Sequence, residues 1–238
     1  MLGEGGIIAP SAGFWQRLQT MCARWGWRLI LDEVQTCMGR CGTMFAAERY
    51  DIRPDILLLG KALSGGGQPI AAVMATEEIM AETDLHLGGT YSWTPAAAAG
   101  ALAGIDEILA SGAMDNARAL ESIALEELGP LVERSEQVGD VRASGALVGV
   151  EFVQDMVSIA PAPNFHREVH AAAVRRGVLG ITQGGKWVYR LQPAINMPPD
   201  LFRWSCRRLI EAIEEVATDP PPEPAKLIER DSPDVIEV

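Results

Sequence analysis

Two short apolar runs, each ending in a charged residue, constrain this chain most. Arg28-Leu29-Ile30-Leu31 runs straight into Asp32-Glu33-Val34, and Ile56-Leu57-Leu58-Leu59 stops at Gly60-Lys61. Neither run alternates with polar residues, and both are bounded by Gly, Pro or acids. That is the pattern of strands covered on both faces, which points to a parallel sheet. Ile70-Ala71-Ala72-Val73-Met74-Ala75 reads as a third strand, after a Ser64-Gly65-Gly66-Gly67 loop. Helical spacing of Phe14, Leu18, Met21 and Trp25 before Gly26 predicts a helix ahead of the first run. Residues 44–51 read as a short helix. Strands separated by helices and loops predict an α/β sheet with its faces covered.

The second half changes character. Thr94-Pro95 is a helix start, with Thr as N-cap and Pro at the first helical position; the Ala-rich helix runs to about Leu109. A further helix over 113–134, a strand over 148–153, a helix over 166–176, a strand over 187–191 and a helix over 200–217 predict a smaller α+β unit. From Asp219 the chain turns Pro-rich and charged, the composition of a disordered tail. The expected organisation is 1–110, the C-terminal part of a large domain; 111–218, a small domain; and 219–238, a tail.

Composition excludes several classes. The chain has 238 residues and a formal charge of −12, so it lacks the basic face that nucleic acid or an anionic membrane requires. No apolar run approaches the roughly 18 residues of a membrane span. The N-terminus has no basic region followed by an apolar one, so no secretory signal is read there. Cys22, Cys37, Cys41 and Cys206 form no CxxC pair and read as reduced cytoplasmic thiols.

Lys61 and Asp32 carry the chemistry. A lysine at a strand end is ordinarily one emerging to solvent, and an aspartate there is ordinarily a cap or surface acid. The sharper reading places both in a cleft at the carboxyl ends of parallel strands, where α/β sheets hold ligands. There a lysine can attack a carbonyl to form a Schiff base, and a carboxylate can hold a ring nitrogen protonated. His166 and His170 are four apart, but His-Arg-Glu-Val-His lacks the order of a zinc-protease motif. They read as an exposed helix face, and no metal site is expected.

Residues 32–42, DEVQTCMGRCG, and 54–66, PDILLLGKALSGG, together resemble the signature of the class III pyridoxal-phosphate-dependent aminotransferase family. The resemblance begins at Gly3-Glu4-Gly5-Gly6 and extends at least to Arg190. It implies the fold type I architecture of pyridoxal 5'-phosphate (PLP) transferases, with a partial, mostly parallel large domain and a small α+β domain. It implies amino-group transfer between an amine or amino acid, an ω-amino acid included, and a 2-oxo acid, through a Lys61 Schiff base. By position, Lys61 would bind PLP and shuttle the proton, Asp32 would face the pyridinium nitrogen, Val34 would pack on the ring face and Gln35 would reach the ring hydroxyl. Thr90 would reach the phosphate of a neighbouring subunit's cofactor in a homodimer, and Arg190 would clamp a substrate carboxylate. Racemisation or decarboxylation on the same scaffold stays open.

The sequence departs from the pattern in places. Cys37 stands where the family usually has glycine, which predicts strain in that turn. Tyr91-Ser92-Trp93-Thr94-Pro95 lacks the more frequent Gly-Asn-Pro wording, which leaves the substrate open. In the family, the glycine/serine phosphate loop and the ring-stacking aromatic precede the segment that begins at Gly3. These 238 residues therefore carry the lysine half of the site without the phosphate half. The alternative implied is a catalytically incomplete fragment or pseudoenzyme that associates with a full-length relative.

Overall fold

Leu29 and Leu31 are buried while Ile30, between them, is exposed. The first apolar run thus forms a strand, β1 (Ile30–Asp32), with only one face covered. In the computed structural model, which describes residues 1–11, 13–81, 93–182 and 187–223, helix α1 (Phe14–Trp25) precedes it and ends at Gly26 in the left-handed conformation. Helix α2 (Ala46–Arg49) follows, then β2 (Ile56–Leu59) and β3 (Ala72–Ala75). β1 and β2 pair in parallel, with Asp32 beside Leu58. β2 and β3 pair antiparallel, so the sheet is mixed, in the order β1-β2-β3. Leu29, Leu31, Leu57, Leu59 and Leu63 form its core with Cys22 and Ala101. Ile30, Val73 and Met74 stay exposed among the described residues, so the expectation of two covered faces does not hold there, while the uncovered apolar face expected of a partial large-domain sheet does.

Helix α3 (Glu77–Ala81) leads toward α4 (Pro95–Ala110). α4 starts as its sequence predicts, with the Thr94 hydroxyl accepting the Ala97 N–H at 3.1 Å. Its small face packs against the turn that follows Lys61. A Cβ on Gly65, whose φ is +62°, would lie 2.2 Å from the Gly100 carbonyl oxygen, and one on Gly104 would lie 2.8 Å from Gly65 Cα. Only glycine allows this backbone contact.

The second sheet is antiparallel throughout, in the order β4-β5-β6. It comprises β4 (Val138–Ser144), β5 (Leu147–Phe152) and β6 (Val188–Leu191). Sequence reading misses β4 because Asp140 and Arg142 break its apolar pattern, as edge-strand charges do. Helices α5 (Ala113–Leu128), α7 (Pro163–Arg175) and α8 (Pro199–Thr218) cover the sheet. Phe152, Phe165, Tyr189, Leu209 and Ile213 fill the space between. The helix expected over 113–134 is divided at Gly129-Pro130, and its remainder is the single turn α6 (Leu131–Arg134). Proline has no N–H to continue the ladder. No single described helix is long and apolar enough to cross a membrane.

Residues 219–223 return from α8 to the start of α7. The Glu223 carboxylate accepts the N–H groups of Asn164 at 2.9 Å and Phe165 at 2.6 Å. Asn164 Nδ2 donates to the Pro222 carbonyl at 2.6 Å. Residues 224–238 lie outside the described residues. A carboxylate on the orphan N–H groups of a helix start satisfies donors and opposes the helix dipole. Glu223→Ala is therefore expected to destabilise the chain by about 1 kcal/mol, read as a lower urea midpoint at unchanged slope.

Candidate active site

Parallel pairing brings the carboxyl ends of β1 and β2 side by side. Asp32 is the last residue of β1, and Lys61 stands three positions beyond its register partner Leu58. Both side chains are exposed at that end of the sheet. The amide of Val34 donates to Asp32 Oδ1 at 2.9 Å, which folds the chain into a turn as the strand ends.

Glu33, 2% exposed, holds that turn. Its carboxylate accepts the N–H groups of Ala46 at 2.6 Å and Ala47 at 2.7 Å, and the Thr36 hydroxyl at 3.2 Å. A buried carboxylate survives when such donors replace water. Asp32 and Glu33 thus divide the work: one acid is buried and structural, the other exposed and available.

The turn also grips the backbone ahead of Lys61. Val34 packs on Gly60, where an added Cβ would sit 3.3 Å from Val34 Cγ1. The Cys37 thiol lies 3.9 Å from the Gly60 carbonyl oxygen, which also accepts the Leu63 N–H at 3.0 Å. Lys61 then opens a 3-10 turn (Lys61–Ser64) at φ +45°, a conformation that costs a side-chain-bearing residue energy. Strain at the candidate nucleophile is held by packing on both sides of it. The expected strain at Cys37 is not observed: the positive φ falls on Met38, at +59°, and on Gly39. The Cys37 thiol pKa is raised, chiefly by burial.

A second group converges on the same end. Arg190, in β6, is 2% exposed. Its guanidinium meets the Glu4 carboxylate at 3.1 Å and donates to the Gly3 carbonyl at 3.1 Å. The hydrogen bond from Arg190 holds the Glu4 carboxyl below its ordinary pKa, with further help from the charge of Lys61 and from Gln35. Gln35 lies directly over Gly3, where a Cβ would clash with its Oε1. Lys61, Gln35, Glu4 and Arg190 therefore share one locality. Sequence reading passed over Glu4. Its only local signal is an acid inside the Gly3–Gly6 run, and the arginine that needs it lies far along the chain.

Thr90 falls within 82–92, outside the described residues. The histidines correct an expectation: His166 is 3% exposed, not part of an exposed face. Its ring packs among Phe152, Trp187 and Tyr189, and His170 also meets Tyr189. The motif HREVH looks polar, but α7 turns both imidazoles toward the sheet.

The family model for class III aminotransferases matches residues 1–213. A 4-aminobutyrate aminotransferase of Mycobacterium leprae is 37% identical over 203 residues, covering 84% of this chain and 45% of that protein. A leucine/methionine racemase of Thermococcus litoralis is 33% identical over 217 residues, covering 90% and 48%. The crystal structure of an amine transaminase from an uncultivated Pseudomonas species, in its PLP-bound form, superposes with a TM-score of 0.84 at 33% identity, covering 90% of this chain and 50% of that one. The chain spans about half the length of the relatives it matches.

Proposed function

The chain belongs to the class III aminotransferase family, and we propose that the protein it represents is a PLP-dependent transaminase working through Lys61 and Asp32. The observation that carries this reading is the exposed acid and exposed amine on the ends of adjacent parallel strands. The residues present fit the ring of PLP: a carboxylate for a cationic ring nitrogen, an amine for an aldehyde, and an apolar valine against the backbone between them. The cofactor supplies an aldehyde for amines to condense with and a ring that takes up the electron pair left when the α-proton departs.

In this reading Lys61 would hold the cofactor through its amine and would take and return the proton at the substrate's α-carbon. Asp32 keeps the ring nitrogen protonated through a charge-assisted hydrogen bond. Val34 packs on the ring face, Gln35 reaches the ring hydroxyl, and Thr90 serves the phosphate of a neighbouring subunit in a homodimer. The division at about residue 110 and a cytoplasmic location belong to the same proposal. The test is to add PLP to the purified chain, reduce with borohydride and map the labelled peptide. Label on Lys61 is expected; label on another residue sinks the reading.

The substrates we assign are an amino donor and a 2-oxo acid, with Arg190 on the carboxylate. A guanidinium this buried needs an anion, and desolvation makes leaving it unpaired costly. Glu4, 67% exposed along its side chain, supplies that anion at little cost to itself. A substrate carboxylate can replace it, since a pair with one exposed member is weak. A donor without a carboxylate leaves Glu4 in place, so one site accepts both kinds. Glu4→Gln is expected to lower KM for carboxylate-bearing substrates by about 3-fold and to spare none of the amine-only preference, as steady-state kinetics on paired substrates would read.

The racemase relative favours a second reading, α-proton exchange without amino transfer. Incubating an amino acid in D2O without a 2-oxo acid separates the two. Deuterium incorporation with loss of chirality supports racemisation, and formation of a 2-oxo acid supports transfer.

A further inference from the structure

Two arginines of the second sheet hold the Gly3–Gly6 loop, and Arg190 is one of them. The other is Arg142, on β4. Its Nε donates to the Gly6 carbonyl at 2.7 Å. Its Nη1 is shared by Asp140 at 2.7 Å and Glu151 at 2.6 Å, which aim the guanidinium. Nη2 is buried without a hydrogen-bond partner and would lie 3.1 Å from a Cβ on Gly6. Gly6 has φ +106°, and its added Cβ would also stand 2.7 Å from Val188 Cγ2. The Gly6 carbonyl in turn lies over Gly149 of β5. The loop is thus seated in a socket built by all three strands of the second sheet, and Arg142 is its polar floor.

Two carboxylates already balance Arg142, so it has no need of Gly6 for charge. The bond to Gly6 does something else: it holds a glycine-rich segment, entropically expensive to order, in the one position from which Glu4 reaches Arg190. We propose that Arg142 is a positioning residue that sets carboxylate selectivity by keeping Glu4 on Arg190. This rests on the reading of Arg190 as the carboxylate clamp. With Ile7 still buried in the core, loss of the Arg142–Gly6 bond loosens the Gly3–Gly6 turn and lets Glu4 leave Arg190 more of the time. Arg190 is then open to a ligand carboxylate more of the time, so the variant behaves like removal of Glu4 itself.

The test is a double-mutant cycle on the purified chain, read as the dissociation constant of glutarate, an unreactive dicarboxylate, by calorimetry. Glu4→Gln and Arg142→Met are each expected to tighten glutarate by about 3-fold, and the double variant to bind no tighter than Glu4→Gln alone. Tightening by Glu4→Gln without tightening by Arg142→Met overturns the role of Arg142 and leaves the clamp standing. Additive effects also overturn it, because Arg142 would then act by another route. No response to either substitution removes the clamp and the positioning role together. A merely structural role would weaken binding. Should Arg142→Met not give soluble protein, Gly6→Ala displaces the same loop against Val188 and Arg142, and is held to the same outcomes.

Discussion

Lys61→Ala is expected to abolish turnover, by on the order of 10⁵-fold or more, while leaving the fold in place. The two halves of that expectation have separate physical grounds. The ε-amine is exposed, so its removal opens no cavity, and it takes from Glu4 only a minor charge interaction. The strained φ of +45° stays, because alanine meets the same steric penalty there as lysine. Stability should thus shift by no more than about 0.5 kcal/mol. Activity has no such reserve, since no other described lysine stands at a strand end beside Asp32. The measurement is single-turnover kinetics beside a urea unfolding curve. Partial rescue by a small added primary amine would locate the loss in the missing amine and not in a displaced cofactor. Undiminished turnover would remove Lys61 from the chemistry and the proposed mechanism with it.

The parts legible in the sequence are those where neighbours in the chain are also neighbours in space. β1 and β2 announce themselves as unbroken apolar runs, and α4 by Thr94-Pro95, because each signal lies within a few residues of its effect. The turn after Asp32 is legible as a motif, while its contacts come from the fold: Val34 and Cys37 act on Gly60, which the parallel register brings beside them, and Gln35 sits over Gly3. What escaped is long-range. Glu4 acquires meaning only when β6 delivers Arg190 to it. Arg142 looks like an edge-strand charge until Gly6 is found against it. His166 sits in a polar string, and only the rotation of α7 against the second sheet shows that the string hides an apolar-facing stripe.

That hidden imidazole sets the second large effect, loss of stability in mild acid. Burial among aromatic rings pushes the pKa of His166 down to about 4, against a bond to the Val188 backbone that favours the charged form. The unfolded value is about 6.5. The folded state therefore binds fewer protons than the unfolded state across the interval between these values, and stability falls as pH falls through it. Between pH 7 and pH 5 the loss expected from this one group is about 2 kcal/mol. The interval is favourable for measurement. The ion-paired carboxylates Glu4, Glu127 and Glu215 have depressed values, so their contributions are lost only below the ordinary carboxylate range. His166→Phe places another ring beside Phe152, Trp187 and Tyr189 and cannot titrate. Its urea stability should fall less between pH 7 and pH 5 than the parent chain's, the remaining slope coming from groups such as the N-terminal amine, which burial also holds below its ordinary pKa. Parallel declines in the two proteins would mean that the buried imidazole is not the group that acid finds. A clearly flatter variant would identify the buried imidazole at the α7–β6 seam as the group through which mild acid destabilises the chain.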